Sequence, residues 1–172
     1  DRASVWYFTR EADERVEDMY KRVNNCAKAA ALATDTELDK VRVYTAVHQS
    51  RPSKGMAELI QANIELVGMP KWSDEEQAFA RALQRELGAK EVGMPDKIDP
   101  LRDPTGGTFV GGGSSDVAEV TLVAPTASVS FPVGVPGAIG HHWSTVASYY
   151  GSGVWKGVNA GAKVMAATDV DL

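Results

Sequence analysis

Charge is spread so unevenly along these 172 residues that it limits the folds open to them. Beyond Pro104 the charged residues are only Asp116, Glu119, Lys156, Lys163, Asp169 and Asp171, whereas 12 of the 16 glycines lie there. A segment so poor in charge and rich in glycine is either buried on several faces or rests on protein outside the chain. With 44% hydrophobic residues the chain has enough apolar surface for a real core, in one or two domains. A net charge of −5 argues against nucleic acid, whose phosphates call for clustered Lys and Arg. No apolar run reaches the roughly 18 residues of a membrane span, and the first residues alternate instead of forming a charged-then-apolar leader. A soluble, cytoplasmic protein with a small-molecule or protein partner is expected. The single Cys26 and the lack of a Cys/His pattern agree with a reducing compartment and no structural zinc site.

Periodicity assigns the elements. Ala3, Val5 and Tyr7 alternate with Trp6, Phe8 and Arg10, and Val41, Val43, Thr45 and Val47 alternate with Arg42, Tyr44, Ala46 and His48, which predicts two strands. Between them Glu11, Asp13 and Glu14 suit the positive end of a helix that continues through Val16, Met19, Val23 and Ala27 to about Thr34. A helix after Pro52 would face inward with Met56, Leu59, Ile60, Asn63, Ile64 and Val67 and stop at Gly68. Ser73 and Glu76 form a capping box for a helix carrying Phe79, Leu83 and Leu87, ended by Gly88. Residues 89–115 are too long a connection to be a routine turn. Strands are predicted at 117–123 and 127–131, broken at Pro125, and then two helices, through Trp143–Tyr150 and Gly157–Ala167. The predicted boundary between domains lies between Gly68 and Ser73.

Few residues carry chemistry. His141 and His142 follow a Pro/Gly turn and open a helix, a place suited to a metal ligand or an acid/base, and equally to local hydrogen bonding. His48 is most simply a partly exposed strand end. The run Gly106–Asp116 lacks the Lys of a phosphate loop, so its glycines serve either close approach to a ligand, with Ser114, Ser115 and Asp116 as polar groups, or a tight capped loop. Arg10 ends its strand on the face of Trp6 and Phe8, where a guanidinium can hold a carboxylate bidentately or pair with Glu11 or Asp13. Trp6, Trp72, Trp143 and Trp155 read as packing residues.

Three stretches carry a resemblance. DRASVWYFTRE, KWSDEEQAFA, and GSSDVAEVTLVAPTASVS followed by His141-x-Trp143, Lys156-Gly157 and AGAKVMAATDVDL resemble, in order, segments of the zinc-dependent amidohydrolases of the aminoacylase and carboxypeptidase G type, in their p-aminobenzoyl-glutamate hydrolase B branch. The resemblance implies an α/β fold. Residues 1–68 would be the second half of a ferredoxin-like dimerisation (lid) domain, and residues 69–172 the C-terminal segment of an α/β zinc-hydrolase domain. It also implies a homodimer, an N-acyl amino acid substrate and two divalent metals, zinc or else manganese. His141 falls where the family places its last metal ligand, and three extra residues before it, Ala138–Gly140, leave His142 as the alternative. Arg10 falls where the family holds the substrate carboxylate, and Asp116 in a loop beside the metals. The family's other metal ligands, its catalytic Glu pair and its oxyanion His precede Asp1 in family order, so the chain alone is expected to be inactive. Two alternatives remain: a truncated interaction module, or a subunit completing a two-chain hydrolase.

Overall fold

The computed structural model describes residues 2–101 and 115–172. Among them lie six helices: α1 (Asp13–Ala33), α2 (Lys54–Val67), α3 (Asp74–Glu86), α4 (Val117–Val120), α5 (Trp143–Ser148) and α6 (Ser152–Val170). The chain divides into two compact units, one of residues 2–51 with 115–124, the other of residues 52–101 with 125–172.

The helices start and stop on local chemistry. Ser73 Oγ accepts the Glu76 amide while the Glu76 carboxylate accepts the Ser73 amide at 2.7 Å, closing the capping box of α3. Ser53 Oγ caps α2 by accepting the Met56 amide. At the far end of α2, Gly68 takes φ +76, a left-handed turn that a side chain would oppose.

No β-strand forms among the described residues, and this overturns the expected α/β class with its half ferredoxin-like domain. Residues 2–12, 41–50 and 125–133 carry no regular structure, and 117–123 coils into α4 and a following turn. The reason is where the backbone hydrogen bonds go. Alternation fixes which side chains would share a face, but a strand exists only if a neighbouring strand accepts its ladder. At 117–124 the amides instead find carbonyls three and four residues back: Thr121 to Val117, Leu122 to Glu119, Ala124 to Val120.

In the first unit, α1 buries none of its residues, and Ala118 is the one buried residue among those described. Trp6 and Tyr44 stack with ring centroids 4.7 Å apart, so the two alternating segments meet at that pair without forming a ladder. Side chains tie down the stretch before α2. Asp13 accepts the Gln49 amide at 2.8 Å, and Thr121 Oγ1 accepts the Arg51 amide at 2.8 Å.

In the second unit, α2 packs along α6 and α3 against α5. The buried positions of α6 are Gly157, Ala160, Val164 and Thr168, a single stripe at helical spacing. Gly157 is required there, because a Cβ would run into the Pro132 carbonyl oxygen. Against α6, α2 buries Ala57, Ile60 and Asn63; the Asn63 amide donates to Asp171 Oδ2 at 2.9 Å and to Thr168 Oγ1 at 3.3 Å. The core joins Ala80 and Leu83 of α3 to Met94 and Val135, flanked by Trp72, Leu87 and Ala147. Gln84, fully buried, accepts the Gly93 amide at 2.8 Å and donates to the Gly93 and Pro136 carbonyls, which fastens the chain after α3. Of the four tryptophans, Trp72 packs against the core, its indole donating to Pro95 O at 2.7 Å; Trp6, Trp143 and Trp155 are largely exposed, Trp6 stacking on Tyr44. No helix among the described residues is long and apolar enough to cross a membrane.

Candidate functional site

The nominated residues sit on irregular backbone next to helix starts. Arg10 is exposed three residues before α1, and the two acids beside it have other partners: Glu11 pairs with Arg15 at 2.7 Å and Asp13 with Arg51 at 3.7 Å. Asp116 is exposed at the N-cap position of α4, where its side chain makes no cap bond and accepts instead from Ser115 Oγ at 3.2 Å. The rest of the glycine run, Gly106–Ser114, lies outside the described residues.

The paired histidines have separate environments. His142 is the N-cap of α5: its Nδ1 lies 2.9 Å from Ser144 Oγ and accepts the Ser144 amide at 3.4 Å. His141 is exposed and has φ +56, a left-handed backbone costing a non-glycine residue about 1 kcal/mol. So the local hydrogen-bonding role falls to His142 and leaves the His141 imidazole with both nitrogens uncommitted among the described residues. Those residues contain no group of three His, Cys, Asp or Glu side chains able to hold a metal ion.

Two ionic clusters reach beyond what the sequence pattern indicates. In the second unit Glu76 accepts from Lys156 Nζ at 2.6 Å and Ser152 Oγ at 2.6 Å, in addition to its cap bond, and Lys156 also donates to Lys71 O at 2.9 Å. Burial acts to raise the carboxyl, but the Lys156, Ser152 and Ser73 hydrogen bonds outweigh it and hold the group down at about 2. Such an acid is too weak a base for proton abstraction near neutrality, so Glu76 ties the start of α3 to the start of α6. In the first unit Glu119 accepts the His48 amide at 2.7 Å and faces the His48 ring at 3.0 Å, and the amide and then the ring keep its carboxyl below its ordinary value. Half of the first cluster was visible as the capping box. Lys156, 80 residues further on, was not.

His141 thus keeps an uncommitted imidazole, Arg10 and Asp116 lie exposed in the other unit, and no metal cage forms among the described residues. The chain is similar to a p-aminobenzoyl-glutamate hydrolase subunit of Escherichia coli (strain K12). Identity is 29% over 193 residues, covering 99% of this chain and 40% of that protein. This is a distant hydrolase relationship, and the chain spans about two fifths of its relative's length. No family model matches the sequence, and no solved structure does.

Proposed function

We propose that this chain is the C-terminal portion of a metal-dependent amidohydrolase that cleaves the amide bond of an N-acyl amino acid such as p-aminobenzoyl-glutamate. The observation that carries this reading is the similarity to the p-aminobenzoyl-glutamate hydrolase of Escherichia coli along 99% of the chain. On this reading residues 1–68 belong to a dimerisation segment and residues 69–172 to the catalytic segment. Arg10 receives the substrate α-carboxylate through two parallel hydrogen bonds, Asp116 borders the metals, and His141 supplies one imidazole to a zinc or manganese pair.

Among the described residues the donors do not gather into a site for a hydrolytic metal. Such a zinc takes about three protein ligands and an open position, and no group of three His, Cys, Asp or Glu side chains gathers among the described residues. Activation of water then falls to residues outside this chain. That the relative is named as one subunit of its enzyme, and is matched over only 40% of its length, favours a second form of the reading in which another chain completes the site.

The test has two stages. Purified chain with added zinc or manganese is expected to release no p-aminobenzoate, and release that a chelator abolishes would overturn the assignment of the chemistry to outside residues. In protein carrying the complementing segment, His141→Ala is expected to remove bound metal and activity while His142→Ala keeps the metal, and Arg10→Lys should raise KM roughly tenfold for substrates with an α-carboxylate. If only His142→Ala lost metal, the ligand would be the neighbouring residue.

A further inference from the structure

A second site is written into the second unit, and Arg10, Asp116 and His141 are not among its lining residues. The segment leaving α2, Val67 to Lys71, and one face of α6 line an open groove of about 470 Å³. That volume falls within the range of small-molecule sites, about 300–1,000 Å³. Val67, Met69, Pro70 and Ala160 give it an apolar floor, Trp155 stands at its edge 73% exposed, and Lys71, Lys156 and Lys163 line it with no carboxylate among the lining residues. In a chain of net charge −5 that holds 23 acidic residues, three lysines around one acid-free cleft form a local reversal of sign.

The positive charge survives its local claimants. Glu76 neutralises Lys156 through the 2.6 Å ion pair, and the C-terminal carbonyls of α2 carry roughly half a negative charge. Lys71 and Lys163 are exposed and have no ion pair among the described residues, which leaves a surplus above one positive charge. Lys156, meanwhile, is held to Lys71 O at 2.9 Å and so fixes the linker against α6. Asn159, one turn from both Trp155 and Lys163, lines the cleft with an amide that makes no hydrogen bond among the described residues. An apolar floor, an open indole face, two available ammonium groups and an unused amide are complementary to a flat apolar body bearing one anionic group.

We propose that this cleft binds a small aromatic carboxylate. The ring lies against Trp155, Met69 and Pro70, and the carboxylate faces Lys71 and Lys163 with the Asn159 amide as a further donor. The site does not depend on the hydrolase reading, since it uses none of the residues assigned there.

The experiment titrates 2-naphthoate, neutral 2-naphthamide and acetate into isotopically labelled chain at low salt, followed by amide and indole NMR shifts. The Trp155 indole signal is assigned by its loss in Trp155→Phe. Saturable shifts of the Trp155 indole and Asn159 side-chain signals with naphthoate are expected, with affinity at least about tenfold better than for naphthamide or acetate, as for a charge-assisted contact added to an apolar one. Lys71→Ala with Lys163→Ala should remove that preference, and Lys97→Ala should leave it intact. Unchanged spectra for the remaining core signals confirm that these surface variants are folded. Equal binding of naphthamide would reduce the cleft to an apolar groove, equal binding of acetate to a surface cation patch, and either would overturn the proposal. So would shifts centred elsewhere, or a double variant that binds as well as the parent.

Discussion

Replacing Glu76 by Gln isolates the one strongly perturbed carboxylate of the second unit. Gln keeps the shape: its remaining oxygen can still accept the Ser73 amide, and the NH2 that replaces the other oxygen can donate to Ser152 Oγ, so the change removes mainly the charge that faces Lys156. Lowering a carboxyl from 4.5 to about 2 corresponds to at most about 3 kcal/mol of stabilisation at neutral pH. Glu76 is 10% exposed but Lys156 is 37% exposed, and solvent screening of the lysine brings the expected loss down to about 1–2 kcal/mol. The sign follows from the direction of the shift. A carboxylate depressed in the folded state contributes fully above its unfolded value, near 4.5, and the contribution fades as pH falls toward the folded value near 2. Urea unfolding followed by Trp72 emission is a suitable assay, because Trp72 packs against the core of this unit while the other tryptophans are exposed. The parent should exceed Glu76→Gln by about 1–2 kcal/mol at pH 7 and by less than half of that at pH 3. A gap of equal size at both pH values, or no gap at pH 7, would show that Glu76 acts through packing and capping alone.

Three further outcomes can be measured on the chain. Gly157→Ala should lose about 2 kcal/mol or more in chemical denaturation despite the roughly 1 kcal/mol helix-propensity gain, because the new Cβ meets the Pro132 carbonyl. Gln84→Ala leaves the Gly93 amide and the Gly93 and Pro136 carbonyls without their partner and should cost about 2–4 kcal/mol, with hydrogen exchange at Gly93 rising first. His142→Ala removes the α5 cap and should cost about 1 kcal/mol by the same denaturation measurement, whereas His141→Gly should raise stability by up to about 1 kcal/mol by relieving the left-handed backbone.

What the sequence disclosed follows the range of the interactions involved. The Ser73–Glu76 box, the acids opening α1 and the turn at Gly68 act within four residues, and each of those helices lies where its signals put it. Helix faces were less legible. On α3 periodicity favoured Phe79, Leu83 and Leu87, whereas the structure buries Ala80, Leu83 and Gln84. The face is chosen by backbone arriving from Gly93–Met94 and Pro136, which needs a small residue and an amide where periodicity asks only for apolar ones. The strands failed for the same reason at longer range, since their partners must come from distant sequence. Of the site, the helix-opening place of the histidines was legible, but Lys156 meets Glu76 across 80 residues and no local pattern announces it.

The charge-poor half can now be resolved face by face. On α6 the stripe Gly157–Ala160–Val164–Thr168 is buried against this chain, so that part of the composition serves internal packing. The opposite faces hold Trp155, Val158, Met165 and Val170, all exposed, and α5 adds exposed Trp143 and Val146. A helix apolar around most of its circumference is stable in water only when more than one face is covered. The buried stripe accounts for the first reading on one side of the helix; under the proposed function, the uncovered side outside the Trp155 groove is the surface left for the remainder of the enzyme. The aromatic cleft separates the two cases. Its lysines set Trp155 in a charged groove that Trp143 and Val146 do not line, so a complementing segment should quench exchange and dye binding around α5 and leave naphthoate access at Trp155 unchanged.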